Sequence, residues 1–168
     1  MSKYTDIFYF FLVFLLQLVI TDYVQLGPYV FPCLVPFLIL CIPFSRRTEL
    51  LLVAAFGIGI MLDLLSDGVL GLNAAAAVAA AATRRFFYRN LVNRDRQDQT
   101  EVPTPAGIGT AKYLKYAAAV TAVYLAVYIL FDCVSFRPAG FILIRFVAST
   151  VIDTAFAYVL ALSYQNRR

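Results

Sequence analysis

Apolar residues in this chain are gathered into long runs that polar residues rarely interrupt. Six runs stand out, at about 6–22, 29–44, 49–66, 69–83, 113–131 and 139–163. A transmembrane helix needs about 20 mostly apolar residues, and only helices and closed barrels satisfy their own backbone in lipid. The pattern therefore predicts an all-α polytopic membrane protein, with one compact bundle of six transmembrane helices formed by residues 1–168.

The second run is short and contains Pro32 and Pro36, with Pro28 just before it. A spacing of four places these prolines on one face of a helix. Proline removes a backbone donor and bends a helix, which is tolerated at membrane depth only where protein or water covers the freed groups. We expect a kinked helix packed against its neighbours, with a substrate-gating break as the alternative.

The charged residues give the bundle an orientation. Hydrophobic residues make up 62% of the chain and charged residues 14%, against about a quarter charged in a soluble domain. Most of the 14 Lys and Arg lie in the N-terminal segment, at 46–47, in the loop 84–112 and in the C-terminal segment, all on one side of the six-helix topology. Because basic residues favour the cytoplasmic side, we expect both termini and this loop in the cytoplasm.

The loop 84–112 changes character along its length. Its first half, to Arg96, mixes aromatic and basic residues, as in a helix that continues into the lipid head groups. Its second half contains Pro103 and Pro105 beside two glycines and predicts a flexible linker. This composition indicates contact with membrane lipids and not with nucleic acid.

Residue types that usually carry chemistry are scarce. The chain has no histidine, the commonest metal ligand and general base. Its three cysteines, Cys33, Cys41 and Cys133, lack the spacing of a metal site. We therefore expect no metal, no cofactor and no enzymatic activity.

Three ionisable residues fall inside the predicted spans: Asp63, Arg145 and Asp153. Such residues usually face the bundle interior and find partners there. At 1.5 Å per residue, Asp63 and Arg145 both lie within about 5–9 Å of the external boundary, so an ion pair between them is one hypothesis. The alternative is that each reaches the outer surface separately. For Asp153 we expect a structural role, with the hydroxyl of Ser149 as its partner. The alternative, a proton-coupled role, would need Asp153 to line a water path, and no sequence feature supports one.

Small residues predict a tight hairpin between the third and fourth spans. Gly57 and Gly59 precede an almost pure alanine run, and small residues let helix backbones approach closely. Gly68 and Gly71 are expected to shape the turn, and Asn73 to cap the returning helix. The fifth and sixth spans, richer in large apolar residues, are expected to be more exposed to lipid or to partner helices.

Four of these residues also carry a family resemblance. Gly59, Asp63, Gly71 and Asn73, followed by a small-residue helix that ends in basic residues, resemble the central segment of the rod shape-determining protein MreD family. The segment 134–138, which ends in Arg137 and Pro138, is similar to the external loop of some members. Length and the six expected spans agree with the family over essentially the whole chain.

The resemblance implies a non-catalytic, multi-pass protein of the bacterial inner membrane. Its family supports lateral peptidoglycan synthesis and rod cell shape together with MreC, the MreB cytoskeleton, a RodA-type glycosyltransferase and the elongation-specific transpeptidase.

Two other functions stay open. The family is similar in fold to the substrate-binding subunits of energy-coupling-factor transporters. The alternative is therefore a small-molecule-binding membrane subunit in which Asp63, Asn73 and Arg145 line an outward-facing pocket. A third class, an intramembrane enzyme, would have only Asp63 and Asp153 as plausible catalytic carboxylates.

Overall fold

The computed structural model describes residues 3–23, 30–43, 48–67, 69–92, 102–132 and 138–166. In these residues all regular structure is helical. The helices are α1 (Lys3–Tyr23), α2 (Val35–Leu40), α3 (Thr48–Leu62), α4 (Leu72–Leu91), α5 (Pro105–Ile108), α6 (Thr110–Asp132) and α7 (Ala139–Asn166), and a π-helical turn, Asp63–Asp67, continues α3.

Three of the described helices are long and apolar enough to cross a membrane. They are Thr48–Ser66, which includes most of the π turn, Thr110–Asp132 and Ala139–Gln165. In α1, Phe8–Thr21 forms a shorter apolar helix. The chain therefore has the character of a helical membrane protein, while the count of six spans and the cytoplasmic termini stay predictions.

The short helix α2 lies at the centre of the bundle. All six of its residues are buried, and it contacts α1, α3, α4, α6 and α7. The prediction of a kinked helix over 29–44 is wrong, because residues 30–34 are not helical. We call residues 30–34 the break.

Proline explains where the helix begins. Pro36 lies in the first turn of α2, where its missing N–H costs nothing. Pro32 disfavours the helical conformation for the residue before it, and so the chain enters α2 in a non-helical form. Pro28 lies outside the described residues.

Helices α3 and α4 form the predicted close hairpin. A Cβ added to Gly59 would lie 2.4 Å from the Cα of Ala74, so only glycine fits between the two backbones at this point. The same role was predicted for Gly57 and is wrong, since a Cβ there would meet no atom within 4 Å. The two glycines point to different sides of α3, and only one of them faces α4.

Helices α4 and α6 pack side by side with opposite directions. Contacts near the start of α4 reach the later part of α6, and Lys112 at the start of α6 lies 3.4 Å from the carbonyl of Val92, just after α4. The buried alanines of α4 leave room for large side chains, and α6 buries four tyrosines: Tyr113, Tyr116, Tyr124 and Tyr128. The expectation that the fifth and sixth spans are more exposed to lipid or to partner helices is therefore wrong for the buried tyrosine face of α6. In α7, Leu143, Ile144 and Val151 are more than half exposed at the surface of the bundle.

The predicted loop 84–112 is partly helical. Helix α4 continues to Leu91, as its aromatic and basic composition predicted. The predicted flexible linker contains the short helix α5, whose start is capped by the hydroxyl of Thr104 accepting from the N–H of Gly107 at 3.3 Å. Val102 and Pro105 are buried, so this part of the linker packs on the bundle. Residues 93–101 lie outside the described chain.

The substitution Gly59→Ala is expected to destabilise the protein, because the new methyl group would overlap the backbone of Ala74. Overpacking of this kind costs about 1–3 kcal/mol. Gly57→Ala is the matched control, and there alanine should stabilise the helix by about 0.5–1 kcal/mol. The free energy of unfolding in mixed micelles measures both changes. Equal stability of the two variants would contradict the close approach at Gly59.

Candidate functional site

Asp63 caps helix α4 from the end of the preceding helix. Its fully buried carboxylate accepts three backbone hydrogen bonds: Oδ2 from the N–H of Gly71 at 2.9 Å and of Ala74 at 3.2 Å, and Oδ1 from the N–H of Asn73 at 2.8 Å. N–H groups at the start of a helix have no acceptor within it, and the helix dipole favours negative charge there. Asp63 therefore satisfies groups that would otherwise be buried without partners.

Asn73 does not cap α4, because Asp63 already fills that place. The N-cap residue is Gly71, whose φ of 97° lies in the left-handed region that glycine adopts without strain. The side chain of Asn73 instead accepts a 2.5 Å hydrogen bond from the hydroxyl of Tyr124 on α6. We call Asp63, Gly71, Asn73, Ala74 and Tyr124 the Asp63 network, which joins α3, α4 and α6.

Asp63 and Arg145 do not pair. Arg145 forms an ion pair of 2.6 Å with Asp132 at the end of α6, and its guanidinium carbon lies 5.9 Å from the centre of the Phe31 ring. Both oxygens of Asp63 are engaged with the backbone of α4. The alternative, in which each residue reaches the outer surface separately, is also wrong for Asp63, which is fully buried.

The remaining predicted site residues lie elsewhere. Pro138 is exposed and opens α7, with its carbonyl accepting from the N–H of Phe141 at 2.9 Å. Gly68 and Arg137 lie outside the described residues. Among the described candidates, the structure thus brings together the four that carry the central part of the family resemblance.

A second polar network satisfies the backbone of the break. The N–H groups of three break residues donate to three side chains: Phe31 to Oγ of Ser149 and Cys33 to Oδ1 of Asp153, both at 2.9 Å, and Leu34 to Oε1 of Gln17 at 2.5 Å. These acceptors come from α1 and α7 and are at most 2% exposed. They replace the carbonyls that a continuous helix would provide.

The predicted hydrogen bond between Ser149 and Asp153 is therefore absent from the described contacts. Each accepts a different N–H of the break, although they lie on one face of α7. Oδ1 of Asp153 has its partner in Cys33, whereas Oδ2 is buried and has no hydrogen-bond partner among the described residues.

Arg84 satisfies the other end of α2. Its fully buried guanidinium donates to the carbonyls of Ile39 at 2.8 Å, Leu40 at 3.1 Å and Ile42. Its Nε donates to the hydroxyl of Tyr116 at 3.0 Å. The C-terminal end of a helix carries partial negative charge, so the arginine meets both the open carbonyls and the dipole of α2.

Sequence reasoning missed Gln17 and Arg84. Gln17 was detectable as an uncharged polar residue in the middle of the first apolar run. Arg84 was assigned to a cytoplasmic loop by its charge. It also continues the helical register of the buried Ala77 and Ala80, seven and four residues earlier, and this register was the signal for its burial.

The described residues contain no group of three His, Cys, Asp or Glu side chains that could hold a metal ion. Asp63 and Asp153 bind different segments, α4 and the break.

An apolar groove of about 410 Å³ lies between α1 and α3 and is lined by Phe10, Ile42, Leu50, Leu51, Ala54 and Ile58.

Arg84→Met should destabilise the protein strongly, because it leaves the carbonyls at the end of α2 buried without donors. Each such acceptor costs about 1–3 kcal/mol. Arg84→Lys should recover only part of the loss, since an ammonium group lacks the planar fork of arginine. Arg85→Met, at the neighbouring exposed position, is the control. The free energy of unfolding in micelles is the measurement, and similar losses at both positions would refute the role of Arg84.

Asp63→Ala should also destabilise, because three N–H groups lose their acceptor. Loss of a helix cap costs about 0.5–2 kcal/mol, and full burial places this one at the upper end. Asp63→Asn keeps one acceptor oxygen and should fall between alanine and wild type. Asp132→Ala, which removes a partly exposed ion pair, should cost about 1 kcal/mol or less. The free energy of unfolding in micelles measures the loss of stability in each variant. An Asp63→Ala protein as stable as the wild type would contradict the capping role.

Comparison with known proteins adds no relative to these observations. No protein-family model matches the chain, no curated protein matches it, and no solved structure is similar to it.

Proposed function

We propose that this chain is a non-catalytic component of the bacterial cell-elongation machinery, of the MreD type, in the inner membrane. In this role it scaffolds lateral peptidoglycan synthesis and maintains rod cell shape. Its partners would be MreC, the MreB cytoskeleton, a RodA-type glycosyltransferase and the elongation-specific transpeptidase.

The observation that carries the proposal is the Asp63 network. Gly59, Asp63, Gly71 and Asn73 resemble the family in sequence, and in the structure they form one joint between α3, α4 and α6. A shared motif with this geometry supports a shared helix arrangement. It gives each of the four residues a physical role that needs no substrate.

The interior of the bundle supports a scaffold over a catalyst. Gln17, Arg84 and Ser149 each bind backbone groups of the same chain, and Gln17 and Arg84 also bind the hydroxyls of Thr21 and Tyr116. Apolar side chains cover much of the outer surface of α1, α3 and α7. Within a membrane, helix association relies on packing of such surfaces, so these helices are available to membrane partners.

The transporter alternative draws no support from the described residues. Its proposed pocket residues do not converge, because Asp63 and Asn73 belong to the Asp63 network and Arg145 pairs with Asp132. A small-molecule site needs a few convergent polar groups, and the groove between α1 and α3 has apolar lining residues.

Depletion of the protein in a rod-shaped bacterium that encodes it should turn the cells into widened or spherical forms. Cell width and the incorporation of a fluorescent D-amino acid into the lateral wall measure this effect. Wild type and Gly57→Ala should restore both, whereas Asp63→Ala should restore them poorly in proportion to its lower stability.

Two results would oppose the proposal. Unchanged width and lateral incorporation after depletion would exclude a role in elongation. A growth defect with normal shape that an added nutrient relieves would favour the transporter alternative.

A further inference from the structure

The side chain of Asp153 meets the break with only one of its two oxygens. Oδ1 accepts from the N–H of Cys33 at 2.9 Å, whereas Oδ2 has no partner among the described residues although it is buried. The residue is 2% exposed. It lies in the middle of α7, which is long and apolar enough to cross a membrane.

Asp153 has no counter-charge in the described chain. Gln17 from α1 and Ser149 from α7 present neutral groups to the break, and the thiol residue Cys33 approaches through its backbone. From α6, the phenol ring of Tyr128 stacks on Phe31 with ring centres 4.3 Å apart.

The cations on neighbouring elements are engaged elsewhere. Arg84 binds carbonyls at the far end of α2. Arg145, two helical turns before Asp153 on α7, forms its ion pair with Asp132.

We propose that Asp153 is a proton-binding site, which carries its proton at neutral pH while the break is packed against α7. A bare carboxylate without a cation or a full set of donors is far more costly to bury than a neutral carboxylic acid. The neutral acid still accepts the hydrogen bond of Cys33 through its carbonyl oxygen. It is thus compatible with the observed contact, and its proton resides on Oδ2.

Release of the proton has a structural consequence. The new charge at Oδ2 needs water or further N–H donors, and the packed break supplies neither. Residues 31–34 therefore have to move away from α7 or admit water when Asp153 ionises. The packed form binds the proton more tightly than the open form, so its stability falls as the pH rises from the ordinary carboxyl range to the titration midpoint of the packed form, and it levels off above that midpoint.

Infrared spectroscopy of the full chain in lipid nanodiscs tests the proton directly. Exposed carboxyl groups are ionised at pH 7, because their ordinary pKa values lie near about 4. We expect the wild type to keep the carbonyl-stretch band of one protonated carboxylic acid per chain at this pH. The band should be absent in Asp153→Asn, which retains the acceptor for Cys33.

The wild type alone can overturn the proposal. If it shows no carboxylic acid band at pH 7, Asp153 is ionised and the site binds no proton. This measurement does not depend on how well a variant folds. A band that persists unchanged in Asp153→Asn belongs to another residue and equally refutes the assignment.

Thiol labelling tests the coupling to the break. Cys33 is 2% exposed, and with Cys41→Ser and Cys133→Ser it becomes the reporter. The quantity to compare is the labelling rate of Cys33 in the folded protein divided by its rate in the unfolded chain at the same pH. This division cancels the effect of pH on the thiol itself.

We expect this ratio to rise by up to about tenfold per pH unit below the titration midpoint of Asp153. It should stay flat when Asp153→Asn is added. Parallel curves for the two proteins would show that the break does not respond to this carboxyl.

Discussion

The structure depends on satisfying the backbone of one short helix at the centre of an apolar bundle. A helix leaves its first four N–H and last four C=O groups without internal partners, so the six residues of α2 can pair only some of their backbone groups with one another. No water is available at membrane depth, and each unsatisfied group costs several kcal/mol. Side chains from other helices must therefore complete both ends of α2, and this requirement fixes where those helices lie.

The same requirement explains why polar side chains are found in so apolar a chain. Gln17 and Ser149 bring α1 and α7 to the break, and Arg84 brings α4 to the end of α2. Helix α4 is in turn anchored at its start by Asp63. Between these two anchors its surface is nearly all alanine, which gives little specific packing but allows close approach. The tyrosines of α6 fill the remaining space.

Local patterns predicted the parts of the fold that depend on local sequence. The α3–α4 hairpin could be predicted because its glycines, alanines and turn are close together in the chain. The partners of the break could not, since Ser149 and Asp153 lie 118 and 120 residues from the groups that they bind. Composition also could not distinguish Gly59 from Gly57, because rotation of α3 about its axis decides which glycine faces α4. The burial of Arg84 was not predicted, because its charge is typical of an exposed loop, whereas its helical register with Ala77 and Ala80 indicates a buried position.

The two buried aspartates, Asp63 and Asp153, differ in how completely their side-chain oxygens are matched by hydrogen-bond donors. Both oxygens of Asp63 accept backbone donors, and glycine at position 59 lets the two helices close around it. Movement there would break three hydrogen bonds together. Asp153 holds the break by a single bond and leaves one oxygen unmatched. The hairpin is therefore held by three hydrogen bonds to one side chain, whereas at the break one oxygen of Asp153 is matched and the other is the atom at which the proposed proton is bound.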